Sequence, residues 1–120
     1  MKKCETIEAK IYCGLKSNSN SLKGYEYSPK IAKTICQEYV DEVGLCVSLT
    51  ETTFIYTEGE EPGIIVGLIN YPRFPSDLKS IKHHCLKLGD KLLGVLDQKR
   101  LSIVLPNETI MLINPKYKEE

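Results

Sequence analysis

The chain's only two histidines stand together in "HHC", residues 83–85, and the triplet invites a metal reading. Adjacent helical residues point about 100° apart, so His83 and His84 cannot close on one ion without bending the chain. No further Cys or His recurs at ligand spacing, and no metal site is expected. Serine-nucleophile, phosphate-loop, dinucleotide and zinc-protease patterns are missing. Tyr12, Cys46 and His84 have acid, base or nucleophile chemistry, yet nothing in their spacing links them into a relay. Cys13 or Cys46 would need an electropositive, partly open setting to react. These residues favour a binding domain over an enzyme, and they imply no cofactor.

A second group suits contact rather than catalysis. "LINYPRFP", residues 68–75, sets Tyr71, Arg73 and Phe74 around two prolines. A residue before proline is pushed out of the helical region, so a stiff, polyproline-like connector with Tyr71 and Phe74 extended is expected. Rigid Tyr, Arg and Phe side chains are the types that anchor interfaces. Their simpler roles are Phe74 folded onto Leu78 or Ile81 and Arg73 paired with acids of the first helix. Tyr25, Tyr27 and Lys30 form another candidate surface, because lysines at a helix N-terminus favour an anion.

The elements that must place these groups are legible in the hydrophobic pattern. Ile7, Ala9, Ile11, Cys13 and Leu15 alternate as a half-buried strand. Residues 16–27 read as a flexible loop. Ser28-Pro29 then opens a helix whose apolar stripe is Ile31, Ile35, Tyr39 and Val43 with Ala32, Cys36 and Val40, ended by Gly44. In "LCVSLTETTFIYT" the apolar phase shifts between Leu49 and Phe54, which requires a bulge or a change of partner. "EGEEPG" reads as a turn and "IIVGLIN" as a strand covered on both faces. Ser76 caps a second helix with Leu78, Ile81, Cys85, Leu88, Leu92 and Leu96 inward. A hairpin, "LSIVL-PNE-TIMLI", precedes a charged tail at 114–120.

The order β-α-β-β-α-β predicts a single α+β domain over 1–120, with its core at 5–113. Right-handed crossovers favour a ferredoxin-like sandwich: a four-stranded antiparallel sheet, two helices on one face and a short C-terminal hairpin strand. That topology places Lys23, Lys30 and Lys33 toward Glu58, Glu60 and Glu61, and Arg73 toward Asp41 and Glu42. The charges on the first helix otherwise oppose its dipole, at about 0.3–1 kcal/mol each. On the face without helices, Ile65, Gly67 and Ile69 lie beside Tyr12, Cys46, Ser48, Thr50, Ser102 and Val104. Gly67 leaves a dent there for Tyr12 or a partner. Such an apolar face is costly in water and predicts self-association.

Bulk properties narrow the class. Sixteen bases cancel sixteen acids, which counts against a nucleic-acid partner. No apolar run approaches the roughly 20 residues that span a bilayer, and the first ten residues carry no leader pattern. Five cysteines without a CxxC pair point to free thiols and a cytoplasmic setting.

The motif order resembles the ferredoxin-like superfold, and the chain also resembles small uncharacterised proteins of low-GC bacteria and their phages. The resemblance implies regulatory domains, RNA binders or cofactor-light enzymes of the dimeric α/β-barrel type. The function expected from sequence is therefore non-catalytic: a homo-oligomeric domain that binds a small ligand or a protein, as a regulatory or phage-encoded inhibitory factor would. Its binding residues are Tyr12, Tyr25, Tyr27, Lys30, Tyr71, Arg73 and Phe74. The alternative is a cofactor-independent enzyme with its pocket between the sheet and a second copy.

Overall fold

The computed structural model describes residues 1–18 and 24–117. Seven elements follow in order: β1 (Glu8–Gly14), α1 (Pro29–Val43), β2 (Ser48–Tyr56), β3 (Gly59–Ile69), α2 (Leu78–Val95), β4 (Arg100–Val104) and β5 (Thr109–Ile113). They form one five-stranded antiparallel sheet in the order β2-β3-β1-β4-β5. Alternate residues of the central strands bury the core with both helices. Ala9, Ile11 and Cys13 of β1 meet Ile64, Val66 and Leu68 of β3 and Leu101 and Ile103 of β4. Ala32, Ile35, Cys36 and Tyr39 of α1 close the same core with Ile81, Cys85, Leu88 and Leu92 of α2. No helix among the described residues is long and apolar enough to cross a membrane.

Local chemistry explains most boundaries. Ser28 caps α1 by accepting from Lys30 N, Pro29 takes the first turn, and Gly44 ends the helix at φ 71. Asp77, not Ser76, caps α2: its carboxylate accepts from Ser80 N at 2.8 Å. Ser76 instead donates its N–H to Asn70 Oδ1 at 2.7 Å, and Asn70 Nδ2 donates to Glu5 O at 2.7 Å. This buried amide joins the N-terminal segment, the end of β3 and the α2 entry. In the apolar stripe of α1, Ile31 and Val43 are exposed, because only its central two turns lie over the sheet.

Four further expectations are corrected. The sheet has five strands rather than four: Ile110 and Leu112 of β5 pack against the core. Gly89 lets α2 lie close there, since a methyl on it would come within 3.1 Å of Leu112 Cδ1. β2 has no bulge, pairing with β3 without interruption from Ser48–Gly67 to Tyr56–Gly59. Its apolar phase shifts because Ile55, past the helical cover, is exposed, while Phe54 packs on the opposite face.

The segment 59–63 is strand, not turn. The reversal needs only Thr57 and Glu58, with Glu58 at φ 62. Pro62 is tolerated because its carbonyl still accepts from Leu15 N at 3.1 Å. The Leu15 carbonyl, which a donor at position 62 would have served, is taken by Tyr27 N at 2.8 Å. Finally, β3 is covered on one face only: Ile64, Val66 and Leu68 are buried, Ile65 is half-buried and Ile69 is exposed.

Candidate functional site

The uncovered face carries its densest chemistry at the end holding the β2–β3 hairpin. Gly14 of β1 lies opposite Gly63 of β3, so two neighbouring strands present bare backbone side by side. Tyr12, two residues along β1 and on the same face, lies between Ile65 and Ser102. Phe54 pairs with Glu61 across the β2–β3 ladder, and its ring lies 6.4 Å from the Tyr12 ring at 49°. Two rings therefore wall a glycine floor, with the Glu61 carboxylate at its edge. A methyl on Gly14 would come within 2.8 Å of Gln98 Oε1 and 3.3 Å of Glu61 Oε2, so these two side chains flank the floor. Gly63→Ala would strike the Phe54 ring and approach the Cys13 carbonyl to 2.9 Å. Chemical denaturation of this variant is expected to show a loss of about 1–3 kcal/mol, the cost of overpacking.

A buried polar network holds the rim of this floor. Asp97 adopts φ 51 after α2 and accepts from Ser17 Oγ at 2.7 Å, Tyr117 OH at 2.5 Å and Lys116 Nζ at 3.0 Å. Burial pushes the Asp97 carboxyl up, but the donors Tyr117, Ser17 and Lys116 outweigh it and hold the pKa at about 2. Gln98 donates to Lys16 O and Leu96 O, each at 2.8 Å. Asn114 Nδ2 donates to Gln98 O at 3.0 Å. Loop, helix end and tail are thereby tied together beside a small polar cavity of about 150 Å³. Asn18, Glu61, Gln98, Lys99 and Arg100 line it.

The opposite end of the molecule holds a larger cleft of about 540 Å³, between α1, α2 and residues 69–76. The YPRFP segment there is a tight turn rather than a polyproline connector. Tyr71 and Phe74 form an antiparallel bridge, and Phe74 N donates to Tyr71 O at 3.1 Å. Both pre-proline residues can stay extended while Pro72 and Arg73 reverse the chain. The Tyr71 and Phe74 rings lie 5.3 Å apart, and Phe74 is 53% exposed, so it is not folded away. His84 shares a 2.7 Å hydrogen bond with Tyr39 OH; burial first and His83 second lower its pKa.

The residues predicted from sequence therefore separate into three places. Tyr12 is on the open face. Tyr25 and Tyr27, stacked edge to face at 5.0 Å, and Lys30 lie at the hairpin end beside the first loop. Tyr71, Arg73 and Phe74 lie at the far end. Cys46 is exposed and donates to Tyr71 OH at 3.4 Å, away from Tyr12. Burial pushes Cys13 up to about 12 and Cys36 and Cys85 to about 11, so these thiols are poor nucleophiles. Ser48, rather than Tyr12, fills the dent at Gly67.

The expected charge pairs also fail. Among the described residues, no ion pair joins Lys30 or Lys33 to Glu58, Glu60 or Glu61, nor Arg73 to Asp41 or Glu42. Lys23 lies outside the described residues. Sequence reading missed Glu61, Gln98 and Asp97 as a group. The available signal was strand parity: Glu61 and Gly63 share the outward side with Ile65 once 59–63 is read as strand.

No family model matches the chain, and no curated protein matches it. Two solved structures do. A phage SAM lyase in the apo state matches at TM-score 0.69 and 15% identity, covering 93% of this chain and 92% of its own. A phage SAM lyase in complex with S-methyl-5′-thioadenosine matches at TM-score 0.70 and 11% identity, covering 98% and 97%. At these identities the likeness is one of fold, and it spans both chains nearly end to end. The expectation of a non-catalytic binding domain is corrected on this finding, because both matched structures are of a lyase.

Proposed function

We propose that the chain is an enzyme that cleaves S-adenosylmethionine without water and releases S-methyl-5′-thioadenosine at the hairpin end of its open sheet face. The supporting observation is a coincidence of fold and site. The architecture matches, along its whole length, a lyase holding that nucleoside. The uncovered face gathers two aromatic rings, a carboxylate and a bare glycine floor in one place.

The chemistry asks little of side chains. Taking S-methyl-5′-thioadenosine from the substrate leaves a four-carbon amino acid fragment. With no water added, the fragment's own carboxylate attacks Cγ while the Cγ–S bond breaks. The bonding pair leaves with sulfur, and a five-membered lactone forms.

A positive sulfonium and a negative carboxylate cancel as this happens, so a dry, apolar site lowers the barrier. A protein carboxylate clamped on the sulfonium would stabilise substrate more than transition state. We therefore assign Glu61 to the α-ammonium, whose charge is unchanged in the reaction. The Tyr12 and Phe54 rings offer the stacking surface for adenine.

One protomer alone does not enclose such a substrate. The cavity of about 150 Å³ is below the roughly 300–1,000 Å³ usual for ligand sites. The same face leaves Ile69, Val104, Met111 and Ile113 exposed. A second copy packed there would bury them, exclude water and complete the pocket, which makes the enzyme a homo-oligomer. The strand order β2-β3-β1-β4 supports a ferredoxin-like assignment, with β5 added at the edge. The five free thiols suit a cytoplasmic setting, and the two matched phage enzymes support a phage origin.

Incubation of the purified protein with S-adenosylmethionine is expected to release S-methyl-5′-thioadenosine over many turnovers, read by liquid chromatography. No release rejects the reading. Light scattering of the active sample is expected to show an oligomer, and a fully active monomer would remove the second copy from the site.

A further inference from the structure

The larger cleft takes no part in the proposed cleavage, yet its chemistry is specific. It sits at the C-terminal end of α1, where the last carbonyls give the negative end of the helix dipole and no basic residue occupies the last turn. Asp41 lines the cleft and accepts only a neutral amide bond, from Gln37 Nε2 at 2.9 Å, among the contacts of the described residues. Glu42 lies close enough to raise the Tyr39 pKa, behind burial and ahead of Cys85. Arg73 is exposed and does not line the cleft. Among the described residues, no base forms an ion pair with Asp41 or Glu42 at this helix end.

The opposite wall supplies two aromatic rings. Tyr71 and Phe74 stand 5.3 Å apart, tilted by 43°, on a turn set by Pro72. Ring faces attract cations, more strongly where water is partly excluded. His84, also on the wall, is held toward its neutral form and adds no opposing charge near neutral pH. Val40, Leu45 and Ile81 give the remaining surface an apolar character. The volume of about 540 Å³ lies within the usual range for a small molecule.

We infer that this cleft is a second ligand site, separate from the proposed cleavage site, and that it takes a small organic cation with an apolar body, such as a substituted ammonium. The cation sits between the Tyr71 and Phe74 rings and the Asp41 carboxylate at the end of α1. This also gives a reason for two acids at a helix C-terminus, a placement that works against helix stability.

The test uses choline and its uncharged isostere 3,3-dimethylbutan-1-ol as probes of the full chain, followed by NMR shifts of the Tyr71, Phe74 and His84 rings. Choline is expected to saturate these shifts and to bind about tenfold or more tightly than the neutral isostere. Phe74→Ala and Asp41→Asn should each weaken choline by about fivefold or more, while Glu61→Gln leaves it unchanged. S-Methyl-5′-thioadenosine should not compete. Equal binding of the two probes, no saturation, or competition by the nucleoside would each overturn the second site. Competition would place the nucleoside in this cleft, whereas failure of the first two kinds would leave the cleavage proposal standing.

Discussion

Glu61→Gln is expected to lower kcat/KM for the proposed S-adenosylmethionine cleavage by about 10- to 100-fold, the equivalent of one charge-assisted hydrogen bond worth roughly 1.5–3 kcal/mol. The loss falls mainly on KM. An ammonium contact is made equally in the bound substrate and in the transition state, so its removal weakens binding with little effect on kcat. The Glu61 side chain is half-buried and makes no ion pair or hydrogen bond among the described residues, so the thermal midpoint should stay within about 2–3 °C of the parent. Steady-state kinetics at several substrate concentrations separate the two parameters. A variant with parental kcat/KM would remove Glu61 from the site. A fall confined to kcat would place the carboxylate at the reacting centre instead.

The largest effect on stability is expected at Asp97. Asparagine tolerates the left-handed backbone found there, so Asp97→Asn isolates the charge and its acceptors. Ser17, Tyr117 and Lys116 all donate to this carboxylate, and an amide cannot accept from all three. Urea unfolding at neutral pH should show a loss of about 2–3 kcal/mol.

The same carboxylate gives the parent a pH signature. Its pKa is about 2 in the folded chain, below the unfolded value of about 3.9. Protons therefore bind the unfolded chain more readily. The stabilisation is fully present above pH ~4 and disappears as pH falls toward ~2. Asp97→Asn should lack this contribution, and an unchanged acid limb in the variant would contradict the assignment.

The parts legible in the sequence were those set by local rules. Alternation at Ala9, Ile11 and Cys13 marks β1, while Ser28-Pro29 and Gly44 bracket α1. The site was largely hidden, and the reason is specific. Gly, Pro and acidic residues usually mark turns, so 59–63 looked like a loop and Glu61 lost its parity with Gly63 and Ile65. Only tertiary structure shows that Leu15 pairs with Tyr27 and so excuses Pro62 from donating.

Phe54 misled in a similar way. A pattern read against one face cannot reveal that a hairpin has outrun its helices and turned an aromatic ring to the other. Tyr12 was recognised as part of the open face, but its aromatic neighbour was not. At YPRFP the pre-proline rule was sound for each residue, but it carries no information about chain reversal. The expected Arg73 pairing failed because proximity of loop ends does not fix where a long side chain points.

The central claim is that carbon–sulfur cleavage occurs without water. The most direct measurement is the fate of oxygen when S-adenosylmethionine is turned over in ¹⁸O-water and the four-carbon product is fragmented in a mass spectrometer. Unlabelled lactone is predicted at early times. Any homoserine formed later should carry the label on its carboxyl group, from ring opening at the acyl carbon. Label on the γ-hydroxyl would mean that water had attacked Cγ directly, and the account would be wrong.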